Sequence, residues 1–297
     1  MTEPPFIARQ ERFALVVSTN DVVRRWLAEG TPEVCLAVAD EQSAGRGREG
    51  RPWTAPPGAA LLMSLGFRPS WLEPVRLWRL PATVALAMAD AAEEVAGLPD
   101  GMIRLKWPND LVIEAGGSAA VALDDLAAPE AAAALAARSA WLKLAGVLGE
   151  SEGVGTADPH VVVGIGTNAD WQASDFPPQL ASGMTSLREA SRGRPVDLSL
   201  LLDAFLSRLE VRITALRGGR FDLADWHARQ ATTGRRVRLE LPNGQSEVVE
   251  AIDVDAETGA LVVADPSAPG GERHVAAGEI RHLRSAGATG APTPAGM

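Results

Sequence analysis

Apolar and polar positions along the 297-residue chain fall into two textures, which change near residue 234. In the first, short apolar runs alternate with longer amphipathic stretches. Phe13–Val17 reads as a strand. Ser18, Thr19 and Asn20 then supply polar N-cap residues for a helix over Val22–Ala28. Val34–Ala39 and Ala59–Phe67 are continuous apolar runs of the length of buried strands. Pro74–Val95 is rich in Ala and Leu and has helical periodicity. Ile103–Leu105 and Leu111–Ile113 flank a Pro-Asn-Asp turn and read as a hairpin; Leu144–Leu148 and His160–Ile165 read as further strands. Leu198–Leu216 and Phe221–Gln230 are expected to be helical.

Beyond Gly234 the runs become short and alternating: Val237–Leu241, Glu247–Val254, Ala260–Ala264 and Arg273–Ala276. Turns fall at Asn243-Gly244 and Thr258-Gly259. The pattern predicts an α+β fold, a mixed sheet packed against helices, followed by a small C-terminal β domain. The expected limits are a lead over 1–12, a main domain over 13–233, a β domain over 234–285 and a disordered Gly/Pro/Thr-rich tail over 286–297. Within the main domain, the Ala-rich stretch 114–142 has few large apolar side chains to anchor it. It reads as a partly helical, outward insertion.

Composition narrows the functional classes. With 28 basic and 38 acidic residues the net charge is −10, and such a surface repels phosphate backbones. A nucleic-acid partner is therefore not expected. Cys35 is the single cysteine and sits in an apolar run, so no internal disulfide can form. No apolar run approaches the ~20 residues of a membrane span, and no leader pattern opens the chain. The expectation is a soluble cytoplasmic protein.

Four constellations carry candidate chemistry. Gly45-Arg46-Gly47-Arg48-Glu49-Gly50-Arg51-Pro52-Trp53 joins backbone that can approach a ligand closely to forked cationic donors suited to phosphate or carboxylate. It is neither a Walker A loop nor a dinucleotide fingerprint, and a flexible basic surface loop is the plain alternative. Lys106-Trp107-Pro108-Asn109-Asp110 places a cation, an amide and a carboxylate at one strand end, as nucleotide and Mg²⁺ binding would need; an ordinary turn would look the same. Lys143-Leu144-Ala145-Gly146-Val147-Leu148 opens a strand with Lys and leaves room beside it. Gly164-Ile165-Gly166-Thr167-Asn168 ends a buried strand whose glycines let a flat group lie on it. The last two also read as plain strand architecture.

Their order is more informative than any one of them. Ser18-Thr19-Asn20 and these four motifs, in this sequence, resemble the catalytic domain of biotin–protein ligases, and the C-terminal strands resemble that family's small SH3-like β-barrel. The resemblance spans Phe13 to Arg284. It implies an enzyme that joins biotin to ATP as biotinyl-5′-AMP, with Mg²⁺, and passes biotin to a lysine of a biotin carboxyl carrier protein. Ser18, Thr19, Asn20 and Gln42 would meet the biotin rings, and Gly146 would make room for them. Arg46, Gly47 and Arg48 would sit on a loop closing over biotin and adenylate, and Trp53 would stack on adenine. Lys106, Asn109 and Asn168 would help hold the nucleotide. Lys143, Asp110 and Arg46 would be the catalytic groups, Asp110 also the candidate metal ligand. A lipoate or octanoyl-type acyl ligase on the same scaffold is the nearest alternative, and a non-catalytic biotin-responsive regulator a second. About a dozen residues precede the first strand, too few for the helix-turn-helix that many relatives carry. A monomer or homodimer is expected. His160, His227, His274 and His282 lack metal-ligand spacing, and Trp26, Trp71, Trp78, Trp141, Trp171 and Trp226 read as packing residues. Arg24-Arg25 and Arg235-Arg236 read as solvated faces.

Overall fold

The structure, a computed structural model, describes residues 5–115 and 141–282. The expected helix in the Ala-rich insertion and the expected disordered tail lie outside the described residues, as does the side chain of His282. A seven-stranded mixed sheet forms the body, in the order β1 (Arg9–Val16), β2 (Cys35–Gln42), β3 (Ala60–Phe67), β7 (His160–Asn168), β6 (Trp141–Glu152), β5 (Asp110–Glu114) and β4 (Arg104–Lys106). Only β1 and β2 run parallel; every other pair is antiparallel. β1 starts at Arg9 rather than at Phe13, where the apolar run begins: its Arg9–Arg12 half alternates in exposure and pairs with β2 through Cys35–Val38.

One face of the sheet is covered by α2 (Arg79–Ala96) and by a 20-residue helix over Leu198–Arg217, which pack on each other and on Leu61, Met63, Leu65, Val163, Ile165 and Val147. α2 begins later than its periodicity suggests, because Pro74–Arg76 forms a separate 3₁₀ turn. Pro81 then sits within the first turn of α2, where no intrahelical N–H bond is lost. The other face is covered only in part. α1 (Thr19–Ala28) packs Val22, Val23, Trp26 and Leu27 against Cys35, Ala37 and Val162, at the β1–β2–β3 end. It comes that close because Gly66 has no side chain: a Cβ there would lie 2.6 Å from Cys35 Sγ and 2.7 Å from Val23. Among the described residues no helix covers the β7–β6–β5 half of this face, and the cleft forms there.

The second unit is an antiparallel sheet in the order β11 (Glu272–Val275), β10 (Leu261–Ala264), β9 (Ser246–Val254), β8 (Arg235–Glu240), β12 (Glu279–His282). Among the described residues its hydrogen bonds do not return from β11 to β12, so it is an open sheet rather than the closed barrel expected. The turn Asp255–Ala260 docks it on the body. Trp78 Nε1 donates to Glu257 O at 2.8 Å and Trp107 Nε1 to Gly259 O at 3.1 Å. Trp78, Phe221 and Trp226 pack together with ring centroids 4.7–6.0 Å apart, in the packing role expected of the two tryptophans.

Candidate active site

The cleft has a volume of about 510 Å³ and is floored by β7, β6 and β5. At one end Lys143 Nζ lies 2.7 Å from Asp110 Oδ1, and Lys106 Nζ lies 3.8 Å from Asp110 Oδ2. Strand geometry brings them together in a way the spacing conceals. Lys143 and Gly146 are three residues apart, and in a regular strand they would face opposite sides. In β6, however, Lys143 pairs with Val112 and Ala145 with Leu111, so Leu144 is an extra, bulged residue. The bulge reverses the parity, and both Lys143 and Gly146 reach the cleft. Asp110, opposite Gly146, completes the pair. Asn109 holds the neighbouring turn by donating from Nδ2 to Val147 O at 2.9 Å.

At the other end is a compact polar cluster. Thr19 N and Oγ1 donate to Gln42 Oε1 at 2.8 and 3.1 Å. Ser64 Oγ lies 2.6 Å from Thr19 Oγ1 and donates to Asn20 Oδ1 at 2.5 Å. Asn20 Nδ2 donates to Glu150 Oε2 at 2.5 Å. Ser18, Thr19, Asn20 and Ser64 are all buried, as a polar cluster inside an apolar fold can be once its groups are paired. Ser18 is the N-cap of α1 by backbone geometry, without a side-chain cap bond.

The Gly-Arg loop spans the two ends. It closes on itself through Gly47 N to Arg51 O and Trp53 N to Gly45 O, at 2.7 and 2.8 Å. Arg46 forks onto Asp21 of α1 at 2.5 and 3.0 Å, and this partner holds the Asp21 carboxyl below its usual range. Arg48 reaches the C-terminal unit, donating to Gly278 O at 3.1 Å. Trp53 lies flat on the floor: a Cβ on Gly166 would be 2.5 Å from its ring, and one on Gly146 3.1 Å. The Lys143 ammonium is 5.3 Å from the ring centroid. The indole N–H has no hydrogen-bond partner among the described residues. An apolar floor, polar pairing at one end and paired charges at the other suit a ligand with a polar, uncharged end and an anionic end.

Among the described residues no three His, Cys, Asp or Glu side chains gather as a protein metal cage would require. Asp110, the candidate ligand of the sequence, is a single carboxylate in the cleft beside Lys143 and Lys106. Mg²⁺ fits such a site, since it is commonly held by one carboxylate with substrate phosphates and water.

The motif order agrees with comparisons to known proteins. A model of the biotin/lipoate A/B protein ligase family matches residues 13–168. A biotin–[acetyl-CoA-carboxylase] ligase of Mycobacterium tuberculosis is 33% identical over 270 residues, covering 90% of this chain and 86% of that protein. The chain belongs to the biotin/lipoate A/B protein ligase family. A biotin–[acetyl-CoA-carboxylase] ligase of Paracoccus denitrificans is 29% identical over 266 residues, 86% of this chain and 92% of that one. Among solved structures, the biotin protein ligase of Aquifex aeolicus in complex with biotin and ATP has the same fold. Its TM-score is 0.69 at 22% identity, over 93% of this chain and 99% of that one.

Within this biotin/lipoate ligase-family chain, most residues singled out from the sequence line the cleft: Ser18, Thr19, Asn20, Gln42, Arg46, Gly47, Arg48, Trp53, Lys106, Asn109, Asp110, Lys143 and Gly146. Asn168 does not. It is buried at the end of β7 and donates to Thr185 O at 3.1 Å, bracing the segment that follows. Ser64 joins this cluster without belonging to any of the motifs, and its one signal in the sequence is a lone hydroxyl in the apolar run Ala60–Phe67. Arg24 is not a solvated residue: it joins Asp21 at 2.7 Å to Glu150 at 2.8 Å. Arg235 is exposed, as expected of a solvated face, and its guanidinium lies 4.9 Å from the Trp141 ring centroid. The insertion does not pull the charged pair apart, because the chain leaves β5 at Glu114 and re-enters β6 at Trp141, and those two residues pair directly.

Proposed function

We propose that this protein is an ATP-dependent biotin–protein ligase, forming biotinyl-5′-AMP and transferring biotin to a lysine of a biotin carboxyl carrier protein. The observation that carries the reading is one cleft with two unlike ends: Lys143 on Asp110 at one, and the Thr19–Asn20–Ser64–Gln42 cluster at the other, with Trp53 on the glycine floor between them. The polar end suits the ureido rings. It leaves the carboxylate to reach Lys143, where it meets the α-phosphate of ATP.

Both reactants are anions, so the first step needs cancellation of charge. Lys143, with Lys106 close by, supplies it where the carboxylate oxygen attacks phosphorus and pyrophosphate departs. Mg²⁺, when bound with Asp110, would neutralise the phosphates further. Arg46 and Arg48, on a loop tied both to α1 and to the C-terminal unit, keep water from the mixed anhydride. The acceptor amine then attacks the acyl carbon, an amide forms and AMP leaves. Domain limits of 13–233 and 234–285 fit this division, with the second unit an SH3-like sheet. No described helix is long and apolar enough to cross a membrane, in keeping with a carrier met in the cytoplasm. The test is ATP–pyrophosphate exchange with biotin and lipoate in turn. Exchange should depend on biotin; exchange with lipoate alone would replace this reading with the lipoate-type alternative.

A further inference from the structure

Strand β6 carries Lys143 near its start and, four residues beyond Gly146, a carboxylate for which the reaction has no use. Glu150 is outside the cleft lining, yet its Oε2 accepts from Asn20 Nδ2 at 2.5 Å and from Arg24 at 2.8 Å. Arg24 is held in turn by Asp21 at 2.7 Å and Glu152 at 3.2 Å. Asn20 is buried and lines the cleft.

The consequence concerns polarity. The two ends of an asparagine amide have nearly the same shape, and neighbours decide which one points where. An ionised carboxylate can only accept, so Glu150 draws the NH₂ to its own side. The amide oxygen is left facing Ser64, whose hydroxyl donates to it at 2.5 Å. The amide is also packed tightly on β7, since a Cβ on Gly164 would lie 2.2 Å from Asn20 Oδ1. We infer that Glu150 is a positioning residue for the ureido head of the substrate, setting through Asn20 the pattern of donors and acceptors that the ring meets. The inference rests on the ligase reading above. A cyclic urea offers one carbonyl acceptor and two N–H donors. A reversed Asn20 would set like against like in a desolvated pocket, where an unmade hydrogen bond is costly.

The experiment is steady-state biotin-dependent exchange by Glu150→Ala and Glu150→Gln, beside the unsubstituted protein. Glu150→Ala should raise KM for biotin about ten-fold, the scale of one lost charge-assisted hydrogen bond, with kcat and KM for ATP unchanged. It should also narrow the preference for biotin over 2-iminobiotin, whose urea oxygen is replaced by nitrogen. Glu150→Gln, with an amide oxygen able to accept in the same place, should recover most of the biotin affinity. An unchanged KM for biotin, or a loss confined to kcat, would overturn the inference while leaving the ligase reading intact. Absence of biotin-dependent exchange in the unsubstituted protein would overturn both. If Glu150→Ala does not fold, Glu150→Asp gives the same reading: it keeps a charge for Arg24 but withdraws its oxygen from Asn20 by one methylene.

Discussion

Two sets of opposite charges flank strand β4, and they are built to different ends. On one side Arg229 commits all five of its N–H groups: to both oxygens of Glu93, to Asp90, to Asp225 and to Ile103 O, at 2.7–3.0 Å. Its side chain is 8% exposed and that of Glu93 2%. Burial alone would depress the Arg229 pKa, but the hydrogen bonds and charge of Glu93, with Asp225 and Asp90, outweigh it and hold the guanidinium charged. Glu93 also accepts from Ile103 N and Gly101 N, and Leu105 N donates to Arg229 O. The set therefore fastens the start of β4. On the other side the Lys143 side chain is 30% exposed and meets a single Asp110 oxygen at hydrogen-bond distance. A saturated set holds strands; an unsaturated one can still bind a ligand.

The contrast predicts opposite outcomes for removing one cation from each set. Arg229→Ala should cost about 3–5 kcal/mol of stability, because it strands buried carboxylates. Denaturant unfolding measures this, and a loss below 1 kcal/mol would mean the set is not structural. Lys143→Ala should unfold close to the parent midpoint but form adenylate ~10²–10³-fold more slowly. Normal adenylation by this variant would detach the Lys143–Asp110 pair from the chemistry. Arg48→Gly should sharpen the comparison from the loop side: adenylate still forms but escapes, seen as free biotinyl-5′-AMP and faster biotin-dependent ATP consumption without acceptor. If it loses adenylation as fully as Lys143→Ala, retention and chemistry are not divided between them.

The two smallest effects test the frame around the pair. The depressed Asp21 carboxyl makes its link to Arg46 complete above the ordinary aspartate pKa of about 3.9, and the link is lost only as pH falls through the lower folded value. Intrinsic-rate-corrected amide exchange of residues 45–53 should therefore be flat from about pH 6 to 8, and a rise within that window would point to another titrating group. Replacing residues 116–140 with a short turn should leave exchange activity unchanged, since Glu114 and Trp141 already pair. A large loss in a folded deletion variant would make the insertion part of the site.

How much of this was legible in the sequence depended on scale. Element types followed from periodicity, and the order of motifs named the residues that meet in the cleft. β12 was missed because Glu279–His282 is short and holds one apolar residue, Ile280. The parity reversal at Leu144 was invisible, because a bulge is set by the partner strand rather than by the strand that carries it. Arg24 looked solvated beside Arg25, since its partners Glu150 and Glu152 lie on a strand more than a hundred residues away. Asn168 stood beside two cleft glycines in sequence, but its amide turns to Thr185 O.

The bulge also sets what changes of length this hairpin can absorb. At its tip the chain carries residues 115–140 and still closes, because whatever leaves at Glu114 and returns at Trp141 does not disturb the ladder between them. Between Lys143 and Gly146 the addition or removal of one residue would turn the lysine to the opposite face, away from Asp110. Tolerance here is governed by odd and even rather than by size, so in redesigning this hairpin a long graft at the tip is the conservative change and a single-residue deletion in the strand the radical one.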